Sequence, residues 1–123
     1  MAKSNVDPHA LKAVKAATEL AEKQFFFAKL TSTGECELCG AGEAGYVITE
    51  PAEKGGYATL CFGSERQKVQ IGGTVAVGTI LTVNSEGEAV KESGTGIIVG
   101  VALEAGVAGD IIEALVCVPV NKA

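Results

Sequence analysis

The chain has no tryptophan, one histidine, one methionine and three prolines among its 123 residues. No apolar run approaches the roughly 20 residues that a membrane-spanning helix needs. Nothing at the N-terminus resembles a charged segment followed by an apolar stretch and a small-residue cleavage site, so a soluble protein made in the cytoplasm, with no membrane partner, is expected. Basic charge is also short: ten Lys and Arg against fifteen Asp and Glu leave a net charge of −5. Residues 1–29 hold five Lys against Asp7, Glu19 and Glu22, a balance of +2, so the remainder carries −7. An acidic body repels phosphate backbones and argues against nucleic acid as a partner.

What the chain does have is glycine, sixteen residues of it, together with many Val, Ile, Ala and Thr. Few prolines and many β-branched and small residues describe short strands joined by tight turns, a mainly β chain long enough for one independent core. Gly72 to Val83 organises the rest. Val75, Val77, Leu81 and Val83 share one parity and predict a strand face, and Asn84-Ser85-Glu86-Gly87 then signals a hairpin turn.

On either side of that stretch the chain reads as two loose copies. Ala28 to Cys36 matches Leu81 to Ala89; Gly45 to Ile48 answers Gly100 to Leu103; Gly56 to Leu60 answers Gly109 to Glu113. A repeated unit of hairpin plus strands cannot bury its apolar face alone, so the two copies are expected to share a core as a small β-barrel or sandwich over residues 25–123. Residues 1–24 read as a separate N-terminal arm. Asp7-Pro8 offers a helix cap and a first-turn proline, Leu11, Val14, Ala17 and Ala21 give a thin apolar stripe, and Glu19 and Lys23 fall at i,i+4 spacing. A short helix is predicted there.

Catalytic chemistry is hard to place. Cys36-x-x-Cys39 has the spacing of a zinc or redox pair, but Cys61 and Cys117 are lone residues, and Gly40, Gly42 and Gly45 rule out the helix that a thioredoxin-like dithiol needs. The four thiols read as small semi-buried side chains. His9 has no nucleophile beside it, the acidic residues are scattered through turns, and no glycine-rich segment carries a phosphate-loop or dinucleotide pattern. No enzyme activity, metal or cofactor is expected. Surplus apolar surface is the remaining signal: Phe25, Phe26 and Phe27 at the arm–body junction cap a core or form an interface. Val116 and Val118 in an apolar C-terminal strand, and Leu11 and Val14 on the arm, complete a candidate interface set.

Three stretches carry a resemblance. Glu19 to Leu30, Gly78 to Val90 and Ile98 to Ile112 resemble the capsid decoration, or cement, proteins of tailed bacteriophages over about residues 19–118. The cysteines are not part of that pattern, and Met1 to Thr18 has no match in it. The resemblance implies a small β-barrel-like virion protein on the outer surface of the expanded head, commonly a homotrimer at threefold or local threefold positions. Its partner there is the major capsid protein, which it bridges to stabilise the shell. A second similarity, of Gly73-x-Val75-x-x-Gly78-x-x-Leu81 to the first half of a biotinyl or lipoyl carrier domain, lacks the modified Lys at the hairpin tip. A β-rich subunit of another bacterial or phage assembly is the remaining alternative.

Overall fold

The computed structural model describes residues 11–94 and 97–121. In chain order the strands are β1 (Leu11–Lys15), β2 (Phe27–Leu30), β3 (Cys36–Leu38), β4 (Tyr46–Glu50), β5 (Tyr57–Cys61), β6 (Glu65–Gln70), β7 (Ile80–Val83), β8 (Ala89–Lys91), β9 (Ile97–Ala102) and β10 (Ile111–Asn121). They form two five-stranded sheets, ordered β1-β5-β4-β2-β3 and β6-β10-β9-β7-β8, and every strand pair within them is antiparallel. The sheets curl without closing into barrels. Among the described residues of the first, a single parallel bridge, Ala16 to Cys36, joins the chain beyond β1 to β3, and Ile71 to Ala89 repeats that bridge in the second.

Adding five to each strand number of the first sheet gives the second, so the chain is two copies of one topology, residues 11–61 and 65–121. The hairpins β2–β3 and β7–β8 correspond at an offset of 53. Phe27 pairs with Val47 as Ile80 pairs with Val101, and Ile48 pairs with Leu60 as Ala102 pairs with Ala114, placing β4/β9 and β5/β10 at 54. Leu11 opposite Cys61 repeats as Arg66 opposite Leu115, an offset of 55 for β1 and β6. Loop hydrogen bonds repeat as well. The Gly55 N–H donates to the Ala16 carbonyl at 2.9 Å and the Gly109 N–H to the Ile71 carbonyl at 2.8 Å; the Phe25 N–H donates to Ile48 at 2.7 Å and the Gly78 N–H to Ala102 at 2.8 Å. The repeat therefore lives in the backbone.

Each copy has its own core, and the two are filled differently. Val14, Ala16, Leu20, Ala28, Cys36, Ile48, Ala58 and Leu60 in the first correspond to Val69, Ile71, Val75, Leu81, Ala89, Ala102, Ile112 and Ala114 in the second. Only the Val14/Val69 pair is identical. Where the first copy puts its bulk at Ile48 and Leu60, which face each other across β4 and β5, the second has Ala102 opposite Ala114 and moves the bulk to Ile71, Leu81 and Ile112. Swapping large and small residues keeps the filled volume while erasing sequence identity.

Three expectations need correction. The two copies do not close one barrel around a shared core: each forms its own five-stranded sheet with its own core. Residues 11–15 are a strand and not a helix: β1 lies antiparallel along β5 from Leu11 opposite Cys61 to Lys15 opposite Tyr57, turning Val14 and Ala16 inward. The stripe read as helical was too thin and alanine-rich to hold a helix against the body, whereas the edge of β5 offers partners for the backbone. Leu20 then packs fully buried, and Glu19, rather than pairing with Lys23, accepts from the backbone N–H groups of Lys54 and Ala21. The Asp7-Pro8 helix start and His9 lie outside the described residues. The strand expected from Val75 onward begins only at Ile80, because Gly78 adopts a positive φ of 90° and turns the chain. Val75 remains buried, while Val77 is exposed. The hairpin turn stands as read, with the Asn84 side-chain carbonyl accepting from the N–H groups of Glu86 and Glu88.

Candidate assembly interface

The two copies meet asymmetrically. Across the outer face of the first sheet, Phe27, Val47 and Cys61 occupy successive strands β2, β4 and β5, and with Cys39 they join the core of the second copy. Phe27 and Val47 are each 1% exposed. What covers them is the open mouth of the curled second sheet, where Val83, Val99 and Val116 belong to the same cluster. Backbone hydrogen bonds fix the contact: the Phe27 N–H donates to the Gly87 carbonyl at 2.8 Å, Gly42 to Val83 at 2.9 Å and Gln70 to Phe25 at 2.9 Å. Gly87 must be glycine on two counts. Its φ is 80°, and a Cβ there would come within 2.7 Å of the Leu38 side chain.

The second copy holds the same row in the same register, and none of the described residues seals it. Ile80, Val101 and Leu115 correspond to Phe27, Val47 and Cys61, and Val101 stands opposite both Ile80 and Leu115. Ile80 and Leu115 are each 42% exposed. The mouth of the first copy is open as well. Leu30, the counterpart of Val83, is 46% exposed against 1%, and with Val14, Gly34, Tyr57 and Phe62 it lines a hollow of about 440 Å³ bordered by Lys12 and Lys15. One apolar row and one apolar mouth are thus sealed inside the chain, and their repeats face outward.

The residues singled out from sequence fall on both sides of this division. Val14 and Phe26 are buried in the first core, and Phe27 and Val116 form the contact between copies. Leu11 and Val118 are exposed, the latter in the irregular stretch of β10 between Val116 and Val120. Phe25 is half-buried and has a φ of 74°, the single non-glycine residue with positive φ among the described residues. Its counterpart is Gly78. The outward row Ile80, Val101 and Leu115 escaped the sequence reading because each residue lies on a different strand and only the register aligns them. β6 escaped it too, since Glu65 to Gln70 shows almost no apolar alternation.

The thiols do not converge. Cys36 lies in the first core and Cys39 in the second, so the C-x-x-C spacing places its sulfurs on opposite sides of β3. Their Sγ atoms reach the backbone carbonyls of Val14 at 3.8 Å and Ala44 at 3.5 Å. Burial pushes the Cys39 thiol up to about 12 and raises the pKa of Cys36, Cys61 and Cys117 as well, the opposite of the activated thiolate that nucleophilic or redox chemistry uses. Among the described residues no group of three or more His, Cys, Asp or Glu is placed to hold a metal ion. Among the described residues, Lys29 lies between Glu43 at 3.0 Å and Glu37 at 3.5 Å. The Gly40 N–H and the Lys29 ammonium together hold the Glu43 carboxyl below its usual range. These contacts fasten a loop. The turn that a carrier domain would present, Asn84 to Gly87, has its Gly87 buried against Phe27 and Leu38.

No protein-family model matches the sequence, and no curated protein matches it. Among solved structures, the head fiber gp8.5 N base of bacteriophage phi29 is similar with a TM-score of 0.67 at 17% identity, over 89% of this chain and 95% of that one. The fold is shared with a phage head fiber base. The likeness spans nearly the whole of both chains.

Proposed function

We propose that the protein is a structural virion component that docks on the outside of the expanded phage head, as a homotrimer at threefold or quasi-threefold positions, and stabilises the shell by bridging copies of the major capsid protein. The observation that carries this reading is the near full-length match to the base of a phage head fiber. Supporting it are an outward apolar row on a small acidic body and thiols held in their inert form. No catalysis is required of such a component. Many modest contacts repeated over a lattice add up to a large stabilisation of the assembly.

The test is co-sedimentation of the purified protein with expanded heads that lack it, followed by heating. Saturable binding with a higher temperature of DNA release is expected. Absence of binding to mature heads at micromolar protein would overturn the proposal and leave a subunit of another β-rich assembly as the better reading.

A further inference from the structure

The internal repeat shows what covers a row of this kind. Within one chain, the row Phe27–Val47–Cys61 is sealed by the mouth of the other copy. The contact is heterologous, a row meeting a mouth, so it leaves one unused partner of each kind: the row Ile80–Val101–Leu115 and the mouth around Leu30 and Phe62. The row keeps exposed apolar side chains, and the mouth presents Leu30, Tyr57 and Phe62 within a rim that includes Lys12, Lys15 and Glu35. A chain cannot satisfy both by itself, because its first copy's row already fills its second copy's mouth.

We propose that a second molecule of this protein seats its open mouth over the row Ile80–Val101–Leu115, repeating between chains the contact that joins the two halves within one. The backbone supports the same match. The Phe27 N–H donates to the Gly87 carbonyl inside the chain, and the repeat positions are Ile80 and Gly34. Gly34 sits at the tip of an exposed hairpin with φ 85°, the conformation of Gly87 at 80°. The Ile80 N–H of one molecule is therefore aimed at the Gly34 carbonyl of the next. Heterologous contacts of one kind build a closed ring or an open filament according to whether the rotation closes; in a ring every half stands in the same surroundings. The inference gives a geometry to the trimer proposed above, but it does not depend on capsid binding.

Two single variants test it, Ile80→Asp on the row and Leu30→Asp on the mouth, each at an exposed position and each checked for an unchanged thermal transition. Light scattering over a concentration series is expected to give a multiple of the chain mass for the unaltered protein and the single-chain mass for either variant. Mixing the two variants is expected to restore one intact contact per pair and stop at twice the chain mass. If either variant unfolds, Leu115→Asp and Phe62→Asp replace them. An unaltered protein that stays monomeric throughout would overturn the inference, as would variants that associate normally or a mixture that stays monomeric. Binding to heads is scored separately with the unaltered protein. Association without head binding counts against the proposed function alone, and head binding by a protein that stays monomeric counts against this interface alone.

Discussion

The two halves share a strand order, a register and a set of loop hydrogen bonds, yet they differ in how far two strands run and in what lies against them. β5 stops at Cys61, whereas β10 continues from the equivalent Leu115 to Asn121. The extension passes over β9 at Gly100, where a Cβ would lie 2.7 Å from the Leu115 carbonyl oxygen. At the corresponding point of the first half no strand passes, and Tyr46 fits, its ring 4.6 Å from that of Phe62. Backbone geometry can thus be held constant through a duplication while side chains and strand ends diverge to suit different neighbours.

The largest expected effect lies in the core swap. Leu60→Ala should cost about 3 kcal/mol by chemical denaturation, as a fully buried leucine truncated without collapse does. The same alanine is native at position 114, because Ile71, Leu81 and Ile112 fill that core. Installing the second half's pattern in the first, with Ile48→Ala and Leu60→Ala together with Ala16→Ile, Ala28→Leu and Ala58→Ile, should therefore cost less than the two alanine changes alone. A quintuple variant less stable than the double would mean that the halves are not interchangeable in packing.

Gly100→Ala should follow at roughly 2 kcal/mol, since the atoms that it meets are backbone and cannot step aside. Gly78→Ala, with nothing within 4 Å of the added carbon, isolates the positive φ and should cost about 1 kcal/mol. Phe25 holds the same conformation in the other half without glycine. Phe25→Gly should change stability by less than Gly78→Ala, as relief of the left-handed backbone offsets lost packing and a more flexible unfolded chain. A larger loss would assign Phe25 a packing role that outweighs its strain.

The smallest effect at neutral pH comes from the thiols and grows only in alkali. Cys39 ionises near 9 when unfolded and at about 12 when folded, so folding favours its protonated form. That stability is complete below pH 9 and is lost as pH rises from about 9 to 12. The melting temperature should fall through that window, and Cys39→Ala should flatten the fall. An identical decline in the variant would place the effect on other groups. At pH 7 the half-exposed Cys117 should react with a thiol reagent before the three buried cysteines do.

Much of this fold was legible from the chain. The hairpins, the repeat and the β character follow from parity, from Asn84 to Gly87 and from paired glycines, and the backbone corrects the repeat offsets only by a residue. β1 and β6 were not legible, for complementary reasons. Leu11 to Lys15 spaces its apolar residues as a helix would, and Glu65 to Gln70 spaces almost none. In both, pairing with the neighbouring strand decides the structure. The outward row was hidden because Ile80, Val101 and Leu115 lie on three different strands and become neighbours only across the sheet.

Each sheet is built from one unbroken stretch of chain, and the first is complete at Cys61. During synthesis, residues 11–61 can therefore fold while the second half is still being made. In that interval Phe27, Val47 and Cys61 form a bare apolar strip. The nascent protein is most prone to mispair with its neighbours on the same message then, and arrival of the second half ends that exposure by placing its own mouth on the strip first.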